Sequence, residues 1–164
     1  MRKSILFLTF LCLQAGALRA QVTLTERAAA RTDFELVTAD GTAAVCYDAA
    51  DAAVVGTAAG LFAAVVARVT GREIPVVDGS ELPAKTRCAV IVGTVGQSRW
   101  IDELAAAKKI DVTPIEGGWE RYTLRLVDRP GHGLRKALVI AGSDRRGTAY
   151  GLLSVSRAIG VNPW

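Results

Sequence analysis

The sequence predicts one α/β domain, a mixed β-sheet covered by helices. Three observations carry that expectation. Short apolar runs bounded by turn residues alternate with segments of helical periodicity, in the order ββ-α-β-β-α-β-β-α, which is the signature of a layered sheet-and-helix fold. Ala89 to Gly93 is a near-continuous apolar run, as in a strand covered on both faces. Residues 21–164 are of ordinary size for one domain and numerous enough to bury a core.

Residues 1–20 read as a secretory signal peptide. Arg2 and Lys3 form a basic start, and Ser4 to Leu13 is an apolar run shorter than the about 20 residues a bilayer span needs. Gln14 ends it, and Ala15, Gly16, Ala17 and Ala20 offer small-residue cleavage sites. Cys12 follows Leu11 rather than a small residue, so it reads as part of the apolar run and not as a lipid anchor. The expectation is export, periplasmic or extracellular, with no membrane contact after cleavage.

Residues 21–33 form a loose lead-in. Phe34 to Val37 and Ala43 to Tyr47 flank the turn signal Ala39-Asp40-Gly41 and are expected to pair as strands. Asp48 or Asp51 is expected to cap a helix running to about Thr70. Val54, Val55, Ala58, Ala59, Leu61, Phe62, Val65, Val66 and Val69 recur there at helical spacing, and Gly71 stops it. Ile74 to Val77 is the next strand. After Ala89 to Gly93, the turn Gly93-Thr94-Val95-Gly96 leads into a helix from about Ser98 to Lys108. Glu120 to Val127 alternates as a strand, with Tyr122, Leu124 and Leu126 on one side. Arg129-Pro130-Gly131-His132-Gly133 is a hairpin-like loop, Ala137 to Ala141 returns as a strand, and Thr148 to Ile159 is the core of the last helix. Strand order is left open by such a reading.

The formal charge of +4 owes three units to Arg2, Lys3 and Arg19, and without them it is +1. The remaining charges of both signs are interspersed and aromatics are few, which argues against nucleic acid. Cys46 and Cys88 sit in apolar strand-like segments, where a free thiol behaves as a small hydrophobe. Pairing them needs Cα atoms within about 7 Å, which spacing leaves open. With one His in the chain, no metal site or cofactor is expected.

The turn Gly142-Ser143-Asp144-Arg145-Arg146-Gly147 is the best candidate for a special role. A strand–turn–helix of this kind can bind phosphate at the helix start, but its spacing matches neither phosphate-loop fingerprint. Ser143 or Asp144 capping the last helix is the favoured reading. Glycoside hydrolysis generally needs two carboxylates across the scissile bond. The pairs Asp48/Asp51, Asp78/Glu81 and Asp102/Glu103 are better read as capping or solvated acids, so no catalytic residue is assigned. His132 is expected to be a solvated loop residue, since no nucleophile elbow accompanies it. Trp100 and Trp119 are expected to anchor the edges of the core.

The A-D-G-T-A-A run at Ala39 to Ala44, R-V-T-G at Arg68 to Gly71, V-I-V-G-T-V-G-Q-S at Val90 to Ser98 and G-G-W-E-R-Y at Gly117 to Tyr122 resemble segments of glycoside hydrolase family 115, the xylan α-1,2-glucuronidases. The closing A-G-S-D-R-R-G-T and the I-G-V-N-P-W exit ending at Trp164 resemble that family most specifically. The resemblance implies the N-terminal accessory domain, of the type that precedes the barrel in hexosaminidases and α-glucuronidases. It implies a metal-independent, inverting enzyme whose catalytic carboxylates lie in a barrel beyond Trp164, so this chain is expected to be a fragment that is inactive alone. The implied partners are that barrel and a xylan-type polysaccharide. The rival expectation is a stand-alone secreted carbohydrate-binding or protein-interaction module.

Overall fold

In the computed structural model, which describes residues 33–79 and 81–160, Cys88–Thr94 forms a strand (β5) buried along its whole length. Successive side chains of a strand point to opposite faces, so Val90 and Val92 enter one apolar layer while Ala89 and Ile91 enter the other. This double burial explains the unbroken apolar run. Lys136–Gly142 (β7) pairs with β5 in parallel over seven residues, and Ala44–Cys46 (β3) pairs in parallel on its other side. Val76–Val77 (β4) and Tyr122–Asp128 (β6) complete the sheet in the order β4-β3-β5-β7-β6, with β6 antiparallel at the edge. A mixed sheet with helices on both faces is thus the observed class.

The helix Ala53–Thr70 (α1) packs Val55, Ala58, Ala59, Phe62 and Val66 against the sheet, beside the helix Arg145–Ala158 (α3) on the same face. Gly71 ends α1 as expected, at φ 69°, donating its N–H to Ala67 O at 2.8 Å. This left-handed C-cap suits glycine, which lacks the clashing Cβ. Val54, Leu61 and Val69 are exposed, so the buried stripe is narrower than the apolar set on this helix. By length and composition alone α1 could cross a membrane; here its buried stripe lies on the sheet. The short helix Arg99–Ala106 (α2) covers the opposite face with Trp100, Ile101 and Leu104.

The structure corrects the first pairing. Val37–Thr38 (β1) pairs with Gly41–Thr42 (β2) as a small antiparallel hairpin, and β3 then leaves it for the main sheet. Both edges of β3 are taken by β4 and β5, so only one bond, Ala43 N–H to Leu36 O at 2.9 Å, extends the hairpin toward it. Cys46 and Cys88 are free and buried. Cys46 lies opposite Ile91, three positions along β5 from Cys88, an offset of roughly 10 Å at strand rise and too far for a disulfide. Residues 1–20, read above as a signal peptide, most of the lead-in, Ser80 and the Val161–Trp164 exit lie outside the described residues.

Candidate functional site

The two most distinctive sequence segments touch each other. Asp144 sits in extended backbone before α3, and its Oδ1 accepts the N–H groups of Arg146 at 2.9 Å and Gly147 at 2.8 Å. Asp144 is therefore the helix cap, satisfying donors that the first turn leaves without an intrahelical partner. Its Oδ2 reaches across to accept Glu120 N–H at 2.8 Å. Ser143 does not cap; its Oγ accepts Arg121 N–H at 3.0 Å, and its own N–H donates to Arg121 O at 2.9 Å. Arg146 pairs with Glu120 at 3.0 Å and donates to Tyr150 Oη at 3.2 Å, while Arg145 is exposed at the first helical position. Below them, Thr148 Oγ1 lies 2.9 Å from Thr94 Oγ1, tying α3 to the end of β5.

This clamp fixes the backbone at Glu120, which has a left-handed φ of 54°. It also fixes the position of Trp119. Trp119 is 76% exposed, against the expectation that it anchors the core. It stands in the turn leading into the edge strand, where neither helical layer covers it. Trp100 meets the expectation: it is buried, and its Nε1 donates to Gly79 O at 3.1 Å.

The amides of Gly147, Glu120 and Arg146, in that order of effect, hold the Asp144 carboxyl below the usual aspartate range. A carboxyl depressed in the folded state contributes stability that is present above its unfolded pKa of about 3.9 and is lost as pH falls through the lower folded value. Asp144→Ala should cost about 0.5–2 kcal/mol near neutral pH. The difference from the parent protein should shrink below about pH 4. Urea denaturation at several pH values checks both; a difference unchanged at low pH would refute the cap assignment.

A second group of acids occupies the carboxyl ends of β3 and β5. Chain connections leave these two strands toward opposite faces, α1 on one and α2 on the other, and such a switch point is where open α/β sheets bind ligands. Here the molecule's own carboxylates fill the donors. Asp51 Oδ2 accepts Thr94 N–H at 2.7 Å and its Oδ1 accepts Ala52 N–H at 2.7 Å. Asp48 accepts Ala50 N–H at 3.0 Å and Arg99 N–H, at the start of α2, at 2.9 Å. The Ala50 amide, with Arg99 adding to it, lowers the Asp48 pKa. Asp102 accepts Gly96 N–H at 2.9 Å. The expectation that Asp48 or Asp51 caps α1 is thus overturned: the cap position is Ala52, with no side-chain bond. Asp51 is drawn instead to the last amide of β5 and Asp48 to the first of α2.

A cleft of about 200 Å³ lies between α2 and the β6–β7 loop, lined by Ile91, Trp100, Glu103, Leu104, Pro130 and His132. His132 is more than a solvated loop residue. Its ring packs on Trp100 at 4.6 Å between centroids, and its Nε2 is 3.2 Å from Glu103 Oε2. Lys109 Nζ donates to the carbonyls of Arg129 and Pro130, both at 2.8 Å. These contacts fasten the loop to α2. Among the described residues no cluster of three or more His, Cys, Asp or Glu side chains is placed to hold a metal.

Comparison with family models and with curated proteins finds no match. Solved structures do match, and they place the fold as a mixed α/β domain related to part of a glycoside hydrolase. One of them is a family GH115 4-O-methyl-α-glucuronidase, BtGH115A, described as specific for decorated arabinogalactans. It superposes with a TM-score of 0.56 at 30% identity over 74% of this chain. The chain spans 14% of the length of that protein.

Proposed function

We propose that this chain is the N-terminal, non-catalytic domain of an exported family 115 α-glucuronidase, which removes (4-O-methyl-)glucuronic acid from glucuronoxylan. The observation that supports it most is the likeness to a confined portion of an enzyme of that class, at 30% identity. The engagement of Asp48, Asp51, Asp102 and Asp144 with backbone amides agrees with a structural rather than catalytic use of acids. In this reading the catalytic barrel is the partner. Tyr150 and Leu153 are exposed on α3 while Leu152, Val155 and Ile159 are buried, so the apolar surplus of that helix is what the barrel covers.

The purified chain should release no glucuronic acid from glucuronoxylan or from a glucuronic-acid-decorated arabinogalactan. Release above a buffer blank that survives repurification would overturn the proposal. Uncovered apolar surface marks a lost interface, so the chain should also bind a hydrophobic dye, and Tyr150→Ser with Leu153→Ser should reduce that binding. Unchanged dye fluorescence in the double variant would remove α3 as the docking face.

The exposure of Trp119 favours a second reading, a carbohydrate-binding module in which that ring stacks on a sugar. Affinity electrophoresis in soluble xylan separates the two. Retardation lost in Trp119→Ala supports the module, and unretarded migration of the parent chain supports the accessory domain.

A further inference from the structure

The outer edge of β6 is a strand-pairing surface. Ser143 N–H donates to Arg121 O at 2.9 Å and Arg129 N–H to Arg135 O at 2.8 Å, in the same register as the β6–β7 ladder. In an antiparallel ladder the bonded pairs alternate along the strand. Odd-numbered residues of β6 therefore turn their amide groups to β7, and Tyr122, Leu124, Leu126 and Asp128 turn theirs outward. Tyr122 and Leu126 are exposed, and both share with Leu124 the face that carries α3. A seven-residue edge with neither proline nor lysine has few of the usual devices that prevent pairing.

We propose that β6 pairs with β6 of a second copy of this chain, antiparallel, about a two-fold axis through Leu124. The register follows from side-chain complementarity. An axis at Leu124 sets Tyr122 opposite the second copy's Leu126, apolar against apolar, and Thr123 opposite its Arg125. An axis at Arg125 would set two guanidinium groups against each other and Tyr122 against Asp128, and cross-strand like charges destabilise. The outward amides of Tyr122, Leu124 and Leu126 then find partners, and the two sheets join into one. Arg125 Nη1 now donates to Leu124 O at 3.2 Å, so this side chain must release a carbonyl that the second copy's Leu124 N–H takes over.

Size-exclusion chromatography with light scattering on the full chain should show the mass doubling as concentration rises. Leu126→Pro removes an outward N–H and leaves the β7 ladder intact, as proline on an edge strand can; it should lose the dimer and keep the parent's circular dichroism. Covalent capture reports the register without depending on that variant. In a Cys12→Ser background, Thr123→Cys with Arg125→Cys forms facing pairs of the close, non-hydrogen-bonded kind, about 4.5 Å between Cα atoms and within disulfide reach. Mild oxidation should convert this double variant to a covalent dimer, and Arg125→Cys alone should remain monomeric. A chain monomeric at every concentration, with no cross-link in the double variant, gives the edge to some other partner and overturns the proposal. A dimer that persists in folded Leu126→Pro, or cross-linking by Arg125→Cys alone, overturns it equally.

Discussion

Gly147→Ala is expected to destabilise the protein by about 1–2 kcal/mol, although alanine is the better helix former. A Cβ at this position would stand 2.2 Å from Arg121 O and 3.0 Å from Arg121 C. The obstructing atoms are backbone, and that backbone is held at two neighbouring residues: Ser143 bonds Arg121, and Asp144 bonds Glu120. The clash therefore has no flexible side chain to relax into, and overpacking of this kind costs about 1–3 kcal/mol and occasionally more. The gain in helix propensity, about 1 kcal/mol, offsets part of it. Equilibrium denaturation decides the sign. Equal or greater stability would mean that the Gly117–Arg121 turn is free to move away from α3.

Asp51→Ala is expected to cost about 3 kcal/mol through a different route. Asp51 is 7% exposed and spans two segments, accepting Ala52 N–H locally and Thr94 N–H from the end of β5, both at 2.7 Å. Hydrogen bonds to charged groups contribute about 1.5–3 kcal/mol each, and a buried donor left unmatched carries a penalty of about 1–3 kcal/mol. Thr94 is itself buried, so water does not readily replace the carboxylate. Asp51→Asn, which keeps the shape but offers one acceptor oxygen in place of two, should fall between the parent and Asp51→Ala. A loss in Asp51→Ala of the size of an ordinary surface substitution would show that Thr94 finds another acceptor.

The elements carried by local patterning were legible in the sequence. The unbroken run of β5, the alternation of β6 and the Gly71 stop of α1 each follow from a periodicity or a single backbone preference, and each stands where it was read. The Asp144 cap belongs with them, since a cap acts on its own first turn. What was not legible depends on partners distant in the chain. Asp48 bonds Arg99 and Asp51 bonds Thr94, and nothing near either acid distinguishes that from capping α1. Trp119 looked like core because large aromatics bury area, yet its turn faces no covering layer. The clamp between Gly117–Tyr122 and Gly142–Gly147 joins two segments that were each conspicuous alone, and only the antiparallel pairing of β6 with β7 brings them together.

The Cys46 thiol, fully buried in β3 with its pKa pushed up to about 12 by that burial, makes the molecule its own reporter. The thiolate is the form that attacks alkylating reagents, so at neutral pH the native protein should resist labelling at this position. Modification has to wait for the layer that holds Trp100, Ile101 and Leu104 to lift from that face of the sheet. Under conditions where closing outpaces reaction, the labelling rate divided by that of an unstructured thiol gives the equilibrium for that opening. A reagent and a mass spectrometer can therefore time how often the middle of the sheet is uncovered, in water and without denaturant. The same reading on Gly147→Ala or Asp51→Ala would tell whether disturbing the ends of α3 and β5 loosens the sheet's centre or only its rim.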